Sequence, residues 1–341
     1  MPKKKSSIKS KLEEVVFKPR QDFGYKADER ILYDTIIIGS GVVGLSAAMY
    51  AGRLGLKTLI IGEMEGGTIT LTHVVENYPG FVSLSGPKLG ELMLNHAKDY
   101  DIDILNLRVD KIEKKPKCFI VKTGKSEFKS KTVILATGSK WKKLGIKGED
   151  KYFNRGVSTC ALCDGPLFKN KIVGIVGGSD SAVKEALLLS EYAKKVYIIY
   201  RGEKIHPEPI NLTRAENLIK KGKIEIINKT NVVEIRGDGE KIISVVFDKV
   251  YKGKKEFSLD GLFIDIGHIP LSGLVVDMGV KINKKGEVII NRNSETNISG
   301  IYAAGDVTDT SFKQAITGVG EAVHAAYAIY EYVSADKVET M

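Results

Sequence analysis

Residues 34–63 read DTIIIGSGVVGLSAAMYAGRLGLKTLIIGE, and this stretch decides the fold of the first part of the chain. The short β-branched run Thr35–Ile38 predicts a buried strand, because it is apolar and ends at a glycine. The pattern G-x-G-x-x-G follows, and small and apolar residues then recur at helical spacing before KTLIIG predicts a second strand. This order of strand, glycine loop, helix and strand predicts a dinucleotide-binding unit.

Each glycine of this loop has its own physical role. Gly39 allows a tight turn, Gly41 lets a pyrophosphate approach the backbone, and Gly44 lets the helix pack closely on the strand. The helix directs the positive end of its dipole at the phosphates, with Ser40 inside the same loop. Glu63 lies about 20 residues farther on, where an acid is expected to accept a hydrogen bond from a ribose hydroxyl.

A second unit repeats this plan in KIVGIVGGSDSAVKEALLLSEYAKKVYIIYRGEKIH. Strands are predicted at Ile172–Val176 and Val196–Ile199. Ser179 replaces the middle glycine, so it adds a side chain where a pyrophosphate passes closest. Arg201 follows the second strand in place of an acid, and an arginine there suits a 2′-phosphate, which favours NADPH over NADH. The contacts predicted for this nucleotide are Gly177, Gly178, Ser179, Asp180, Ser181 and Arg201.

Two further stretches complete the first unit. TVILATGS predicts a strand that ends at Thr137 and Gly138, and GIYAAGDVTD predicts another that ends at Gly305 and Asp306. An aspartate at that place can hold a ribityl hydroxyl of a flavin. Because the second unit separates these stretches from residues 34–63, one domain is expected to be interrupted by the other.

These patterns predict an α/β fold with two Rossmann-like three-layer nucleotide-binding domains, the FAD-binding domain being interrupted by an NAD(P)H-type domain. The chain is expected to cross between them near residues 144–150 and 266–272, where Gly, Pro and charged residues punctuate the pattern. The predicted ranges are 1–30 for a basic N-terminal arm, 31–145 with 269–334 for the FAD-binding domain, 146–268 for the NAD(P)H-type domain that carries a C-x-x-C pair, and 335–341 for a C-terminal tail.

Two of the three cysteines lie close together in VSTCALCDGPLF, as Cys160 and Cys163. A zinc site would need further ligands, but Cys118 is isolated in a predicted strand and the histidines show no paired spacing, so no metal site is predicted. A permanent disulfide across this short gap would remove little chain entropy and is uncommon in the cytosol. What remains is a dithiol that opens and closes, and Asp164 directly after it either moves its proton or caps the following turn.

The formal net charge is +10, and residues 1–20 supply half of it through seven basic and two acidic side chains. We interpret these residues as a solvated basic arm, and no nucleic-acid partner is expected because no zinc-finger or RNA-binding signature accompanies them. No apolar run approaches the roughly 18 residues of a membrane span, so no membrane partner is expected either. The low cysteine count and the lack of a secretory signal predict a cytoplasmic location.

From about Tyr33 to Tyr332 the chain resembles the low-molecular-weight thioredoxin reductases, flavoproteins of the pyridine nucleotide-disulfide oxidoreductases. The motifs that carry this resemblance are, in chain order, GSGVVG, VVENYPGF, ILATGS, CALCDG, GGSDSA, GLFIDIGHIP, GIYAAGDVTD and KQAITGVGEA. A C-x-x-C pair inside the nucleotide domain separates this branch from relatives that carry the disulfide in the flavin domain.

The resemblance implies a flavin site in the first unit. The glycine loop and Glu63 fall at the positions for pyrophosphate and ribose, and Asp306 falls at the position for the ribityl chain. Gly66, Gly67 and Thr68 fall where the family has Gly-Gly-Gln, so a threonine replaces the usual glutamine. The other positions implied at the flavin are Asn77, in ENYPG, and Lys313, Gln314 and Ala315, where a lysine replaces the usual arginine.

The resemblance also implies an activity, that of an FAD-dependent thioredoxin-disulfide reductase. Electrons would pass from a reduced donor through FAD and the Cys160–Cys163 disulfide to a thioredoxin-like or glutaredoxin-like protein. Cys163 would face the flavin, Cys160 would attack the partner protein, and Asp164 would donate the proton. The family resemblance further implies a homodimer.

One departure from the family concerns the electron donor, for which NADPH is the first expectation. The family typically has His-Arg-Arg-x-x-x-Arg after the second strand, where this chain has YRGEKIH, so Gly202 and His206 replace two cations. Together with Ser179, this change leaves NADH, a deazaflavin or a ferredoxin as alternative donors. The non-enzymatic alternative is a flavin-binding redox sensor whose disulfide state controls association without turnover.

Overall fold

The structure is a computed structural model that describes residues 27–339, with side chains in the last helix as far as Ala335. The predicted basic arm lies outside the described residues except for its C-terminal end, where Arg30 pairs with Asp28 at 2.7 Å. The predicted C-terminal tail begins inside the last helix, and its final residues, 340 and 341, also lie outside the described part of the chain.

The chain divides into two compact units. Unit 1 combines the residues up to Ser139 with those from Pro270 onward, and unit 2 is Lys140–Ile269. The chain crosses through two short strands, Ser139–Trp141 and His268–Pro270, which pair as a two-stranded sheet. The first boundary, between Ser139 and Lys140, comes before the expected segment 144–150. The crossing is marked by the pairing of the two short strands and not by the glycines and charged residues that follow it.

Helices and strands alternate through much of both units. Helices α1–α8 of the described residues are, in chain order, Val42–Arg53, Gly86–Lys98, Glu149–Tyr152, Ala161–Asp164, Asp180–Tyr192, Pro209–Lys220, Gly273–Val276 and Ala315–Glu339. The described residues also form 3₁₀ helices at Gly67–Leu71 and Gly165–Phe168. Strands β1–β17 of the same residues are Leu32–Ile38, Thr58–Ile61, Ile102–Leu105, Lys111–Lys114, Phe119–Thr123, Ser126–Leu135, Ser139–Trp141, Val157–Ser158, Ile172–Val176, Lys195–Ile199, Ile224–Ile227, Val232–Gly237, Ile242–Tyr251, Lys254–Ser258, Gly261–Ile264, His268–Pro270 and Ile301–Ala303.

Unit 1 is built on a sheet that has seven strands within the described residues, in the order β3-β2-β1-β6-β5-β4, with β17 also paired to β6. Strands β1, β2, β3, β6 and β17 run parallel to one another, whereas β4 and β5 form an antiparallel ribbon with β6. Because the carboxyl ends of parallel strands meet at one edge of a sheet, the loops after β1, β6 and β17 gather there.

Helices α1 and α8 belong to one hydrophobic cluster of unit 1 and meet through small residues. Ala47, Ala48 and Ala51 of α1 are fully buried, as are Ala322 and Ala325 of α8. Small side chains let two helices approach each other closely while the interior stays densely packed. The small and apolar residues that recur at helical spacing in the sequence therefore mark the buried face of α1.

Unit 2 contains a parallel sheet with five strands in the described residues, in the order β11-β10-β9-β15-β8, and an antiparallel sheet, β12-β13-β14. Helix α5 packs on the parallel sheet through Ala182, Ala186 and Leu189, which are fully buried. The short helix α4 follows β8, and its Ala161 packs in the same cluster. None of the helices in residues 27–339 has both the length and the hydropathy of a bilayer-spanning segment.

Candidate active site

The loop between β1 and α1 depends on glycines at two contacts. Gly39 has a φ of +110°, and a Cβ there would lie 2.2 Å from the carbonyl oxygen of Ala136. A Cβ at Gly44 would lie 1.8 Å from the carbonyl oxygen of Gly39, so the helix touches the loop at this point. Side chains larger than hydrogen would force the backbone of both segments to move.

The N-terminus of α1 is open toward this loop. Gly41 is the N-cap residue and has no side chain that could cap the helix. The loop is held from the other side, because the Gly66 N–H donates to Ser40 O at 2.8 Å and a Cβ at Gly67 would lie 2.7 Å from Gly41 Cα. The first amide groups of a helix have no acceptor within the helix, so this end suits an anion such as a pyrophosphate.

Glu63 and Thr68 are exposed beside the same loop. Glu63 follows the end of β2, which is fixed against the loop because a Cβ at Gly62 would lie 2.4 Å from Ser40 N. Thr68 lies in the first turn of the 3₁₀ helix that begins at Gly67. The structure therefore brings the predicted ribose acid and the threonine of the Gly-Gly-Thr segment to the edge that carries the open helix end.

The ends of β6 and β17 bring Thr137, Gly138 and Asp306 to this edge as well. The Ser139 hydroxyl donates to Asp306 Oδ2 at 3.5 Å, and Thr137 Oγ1 donates to Leu271 O at 2.8 Å. Asp306 is half-buried, so its carboxylate is in part accessible from the edge. The two strand ends that the sequence assigned to one site thus meet in unit 1.

Glu321 holds the turn that contains Asp306, and no sequence motif assigned it a role. Its Oε2 accepts hydrogen bonds from the Gly305 N–H at 2.7 Å and from Thr308 Oγ1 at 3.2 Å, and the Thr310 hydroxyl donates to Oε1. The available signal was its place in GVGEAVHAA, where it is the acidic residue among mostly small and apolar residues.

Asn77 and Gln314 meet although 237 positions separate them. The Asn77 side-chain amide donates to Gln314 Oε1 at 3.0 Å. Gln314 immediately precedes α8, which begins at Ala315. This hydrogen bond joins the ENYPG segment to the start of the last helix, so two positions that the resemblance assigned to the flavin ring lie side by side.

Lys313 forms an ion pair and a hydrogen bond within unit 1. Its Nζ lies 3.1 Å from Glu287 Oε1 and donates to Asp306 O at 3.2 Å. Burial opposes ionisation of Glu287, but hydrogen bonds from Asn283 and Lys313 outweigh it, and the pKa of Glu287 is lowered. The lysine that replaces the family's arginine is therefore half-buried, forms an ion pair with the buried Glu287, and steadies the segment after Asp306.

The second glycine loop, in unit 2, is closed by its own side chains. Ser179 is the N-cap residue of α5, and its Oγ accepts a hydrogen bond from the Ala182 N–H at 3.4 Å. Asp180 Oδ1 accepts hydrogen bonds from the Glu208 N–H and from Asn211 Nδ2, each at 2.8 Å. In contrast to α1, a protein side chain already occupies the helix end where a pyrophosphate would bind.

The rest of this loop is held by Asp265, at the end of β15. A Cβ at Gly177 would lie 2.1 Å from Asp265 O, and the Ser181 hydroxyl donates to Asp265 Oδ2. Asp265 is itself buried, with 3% of its surface exposed. The predicted contact residue Ser181 therefore bonds within unit 2.

Tyr200 lies over the second loop. A Cβ at Gly178 would lie 2.5 Å from its ring, and the His206 N–H donates to Gly178 O at 2.8 Å. Arg201 is exposed two residues after the end of β10. The segment that departs from the family pattern thus packs on the glycine loop and leaves an exposed guanidinium beside it.

The C-x-x-C pair forms a disulfide bond between Cys160 and Cys163, with their Cα atoms 5.4 Å apart. Cys160 is the N-cap residue of the four-residue helix α4, and the Cys163 N–H donates to its Sγ at 3.1 Å. Ser158 Oγ accepts a hydrogen bond from the Cys160 N–H at 3.0 Å and fixes the segment before the helix. Cys163 is exposed and Cys160 is half-buried, so the disulfide reaches the surface through Cys163.

The geometry bears on two other interpretations of this segment, a metal site and a capping role for Asp164. No group of three or more His, Cys, Asp or Glu residues suited to a metal ion occurs in the described part of the chain. Asp164 precedes the 3₁₀ helix Gly165–Phe168, but within the described residues its side chain makes no capping hydrogen bond. Cys118 is a half-buried free cysteine in unit 1, one residue before β5 rather than inside it.

Glu185 of α5 lies beneath the C-x-x-C helix, and no sequence motif pointed to it. It accepts a hydrogen bond from the Ala161 N–H, the first residue of α4. Burial and, to a smaller extent, the charge of Asp265 raise the pKa of Glu185, the hydrogen bond from Ala161 lowers it, and the net result is a pKa of about 8. The available signal was an acid between Ala182 and Leu189, three and four positions from them, on the buried face of α5.

Comparison with known proteins agrees with the two glycine loops and the disulfide in the family that it indicates. The family described as pyridine nucleotide-disulphide oxidoreductase matches residues 33–326. Thioredoxin reductase of Bacillus subtilis is 38% identical over 307 residues, covering 89% of this chain and 96% of that protein. Thioredoxin reductase of Listeria innocua is 38% identical over 309 residues, covering 90% of this chain and 96% of that protein.

Solved structures agree with these sequence relatives. The crystal structure of Lactococcus lactis thioredoxin reductase has a TM-score of 0.84 and 38% identity, covering 89% of this chain and 99% of that chain. The thioredoxin reductase of T. acidophilum has a TM-score of 0.82 and 38% identity, covering 88% and 98%. The predicted α/β fold class and family are confirmed by these matches. The chain belongs to the pyridine nucleotide-disulphide oxidoreductases and, within them, to the low-molecular-weight thioredoxin reductases.

Proposed function

We propose that the protein is an FAD-dependent thioredoxin-disulfide reductase, in which electrons from a reduced donor pass through FAD and the Cys160–Cys163 disulfide to a thioredoxin-like or glutaredoxin-like protein. The observation that carries the proposal is the disulfide, which reaches the surface through Cys163 on a short helix. Once reduced, a cysteine pair at the surface can exchange with the disulfide of another protein.

The residues of unit 1 fit a flavin dinucleotide. The open N-terminus of α1 at Gly41 suits the pyrophosphate, the exposed Glu63 suits a ribose, and the half-buried Asp306 suits the ribityl chain. When bound, FAD supplies two-electron transfer between a donor and a disulfide. The residues proposed at FAD are Gly39, Ser40, Gly41, Gly44, Glu63, Gly67, Thr68, Asn77, Thr137, Gly138, Gly305, Asp306, Lys313, Gln314 and Ala315.

The reduced cysteine pair then performs thiol–disulfide exchange. The Cys160 thiolate attacks the partner's disulfide, so a bond forms between Cys160 and one partner sulfur while the other partner sulfur leaves and takes a proton. Cys163 attacks Cys160 Sγ next, which re-forms the Cys160–Cys163 disulfide and releases the second partner sulfur. Two electrons and two protons reach the partner in total. Asp164 is the proposed proton donor, and its lack of a capping hydrogen bond within the described residues leaves its carboxyl uncommitted to the next turn.

NADPH is the proposed electron donor. Arg201 supports this choice, because its exposed guanidinium follows β10 at the place where a 2′-phosphate is bound in this kind of unit. The residues proposed at the nucleotide are Gly177, Gly178, Ser179, Asp180, Ser181 and Arg201.

A different donor, such as NADH, a deazaflavin or a ferredoxin, is the second candidate. It is favoured by a specific observation, namely that the Ser179 side chain caps α5 and the Tyr200 ring packs on Gly178. Both side chains occupy surface that a pyrophosphate would use, so nucleotide binding would have to displace their contacts.

Anaerobic titration of the FAD-loaded protein tests the function and the donor together. We expect the flavin absorbance near 450 nm to bleach with NADPH, and the reduced protein to reduce a thioredoxin disulfide. Bleaching by another donor alone would select the second candidate. A protein that binds FAD but is bleached by none of these donors would be a redox sensor, and one that binds no FAD would overturn the proposal.

We also propose a homodimer in a reducing compartment such as the cytoplasm, where a cycling disulfide can be kept open. An apolar groove between α1 and α8 supports a protein contact on unit 1, and its lining residues are Tyr50, Arg53, Leu54, Val323, His324 and Tyr327. Light scattering after size exclusion should give twice the chain mass, and a Tyr327→Glu variant should run as a monomer.

A further inference from the structure

Helices α4 and α5 share an acid that neither the glycine loop nor the cysteine chemistry uses. Glu185 of α5 accepts a hydrogen bond from the Ala161 N–H, directly after Cys160 in the chain. Its other oxygen, Oε2, is buried and makes no hydrogen bond within the described part of the protein. A buried carboxyl oxygen without a partner is costly when the group is charged, so this carboxyl is set up to hold a proton.

Glu185 lies close to the redox sulfur. Covalent geometry keeps the Ala161 nitrogen within about 5 Å of Cys160 Sγ, and the bonded carboxylate oxygen lies about 3 Å from that nitrogen. The resulting separation does not exceed the Debye length of about 8 Å at physiological salt, and burial weakens the screening further. A charge that appears on Cys160 therefore acts on Glu185.

The charges around Glu185 are acidic. Asp265, which follows β15, raises its pKa by repulsion, and Asp164 lies on α4 itself. The hydrophobic residues packed with α5 include Val173 of the neighbouring strand β9 and Phe168 of the 3₁₀ helix. No cation acts on Glu185 among the described residues that shift its pKa.

We propose that Glu185 is a positioning acid that couples proton uptake to the opening of the Cys160–Cys163 disulfide. The inference rests on the redox cycling proposed above. Starting from ionised Glu185, the S–S bond takes up two electrons from the reductant and breaks; one sulfur becomes a thiolate, the other takes a proton, and a second proton binds the Glu185 carboxylate. The new thiolate holds that proton in place, because two anions this close in a partly buried site repel each other. Reduction thus leaves the site with the same net charge that it had before.

The test measures the midpoint potential of the cysteine pair against pH from 6 to 10. The FAD-loaded protein, carrying Cys118→Ser so that only the pair reacts, is equilibrated with oxidised and reduced dithiothreitol, and the free thiols are counted with a maleimide that shifts gel mobility. Glu185→Gln is compared with Glu191→Gln, because Glu191 is an exposed acid of the same helix. Glu185→Asp, which keeps the charge, serves as a second variant if the glutamine protein folds poorly.

Above about pH 8, where the pKa of Glu185 lies in the oxidised protein, we expect the potential of the parent and of Glu191→Gln to fall more steeply than that of Glu185→Gln. Relative to Glu185→Gln, the equilibrium constant for exchange with dithiothreitol should change by up to a further tenfold per pH unit. This corresponds to a further fall in the midpoint potential of about 30 mV per pH unit for a two-electron couple. Glu185→Asp should keep an extra dependence that Glu185→Gln lacks.

Superimposable curves for the parent and Glu185→Gln would overturn the inference. The readout needs no electron donor and no thioredoxin, so it separates this inference from the proposed function. A pair with the Glu185-dependent slope but no turnover of thioredoxin would refute the function and leave the coupling in place. A protein that turns over thioredoxin but gives superimposable curves would support the function and refute the coupling.

Discussion

The Asn77 side-chain amide donates a hydrogen bond to Gln314 Oε1 at 3.0 Å, and so joins two segments that are 237 positions apart. One segment follows the 3₁₀ helix of unit 1 and the other leads into α8. Both lie at positions that we propose for the flavin ring, so the bond sets the shape of that part of the site before any ligand binds.

Replacing Asn77 with Ala should weaken FAD binding. The change removes one hydrogen bond and leaves Gln314 without this partner, which costs about 0.5–1.5 kcal/mol and corresponds to roughly a two- to tenfold rise in the Kd. Flavin fluorescence during titration of the apoprotein measures it. Asn217→Ala, at an exposed position of α6, is the control and should leave the Kd unchanged. Equal Kd values for the two variants would separate the Asn77–Gln314 pair from the flavin.

Gly44→Ala should cost both stability and flavin. The added Cβ would lie 1.8 Å from Gly39 O, so α1 must move away from the loop, at a cost on the order of 1–3 kcal/mol. We expect a lower Tm and a lower ratio of flavin to protein absorbance after purification. Gly320→Ala in α8 has open space around the new Cβ and should be neutral or slightly stabilising. A Gly44→Ala protein with full flavin content would contradict the tight contact.

The single-cysteine variants decide which sulfur meets the partner. Cys160→Ser should lower the rate of thioredoxin reduction by several orders of magnitude, because the thiolate that attacks the partner is missing. Flavin reduction by the donor should persist. Cys163→Ser should accumulate a mixed disulfide between Cys160 and the partner, visible by mass spectrometry. Cys118→Ser is the control and should keep full turnover. A mixed disulfide formed by Cys160→Ser through the exposed Cys163 would reverse the assigned roles.

Arg201→Ala should reveal the nucleotide preference. Loss of a charge-assisted contact to a 2′-phosphate costs about 1.5–3 kcal/mol, which predicts a rise of roughly ten- to a hundredfold in the KM for NADPH with little change for NADH. Steady-state kinetics with both nucleotides measure it. Arg155→Ala, another exposed arginine of unit 2, should affect neither nucleotide. A parallel rise for both would mean that Arg201 does not contact the 2′-phosphate.

Glu185 should make the stability of the oxidised protein depend on pH. Its pKa is about 8 in the folded protein against a model-compound value of 4.5, so the folded state binds more protons between these values. The free energy of unfolding therefore falls as pH rises from about 4.5 to 8, by at most a few kcal/mol, and stays low above that. Glu185→Gln should remove this fall and exceed the parent in Tm at pH 9 but not at pH 5.

The matched control for this pH dependence is again Glu191→Gln. Scanning calorimetry at both pH values compares the three proteins. If the Tm difference between Glu185→Gln and the parent were the same at pH 5 and pH 9, the Glu185 carboxyl would ionise normally in the folded protein.

The amino-acid sequence by itself determined the parts of the molecule that depend on local pattern. The strand Ile172–Val176 was predicted with the bounds that the structure has, and the G-x-G-x-x-G loop was predicted with its turn at Gly39 and its close contact at Gly44. Strand periodicity, glycine spacing and helical repeats involve residues a few positions apart, so they can be recognised without knowing the register of the sheet.

Only the tertiary structure decided which distant side chains meet. The hydrogen bond between Asn77 and Gln314, the contact of Glu185 with Ala161, and the cap that Ser179 places on α5 depend on how separate segments lie on the sheet. In the sequence, only the spacing of Glu185 from Ala182 and Leu189 indicates that this half-buried acid faces the interior. Its proton affinity is set by the loss of solvent and by neighbours that folding brings together, which no local pattern encodes.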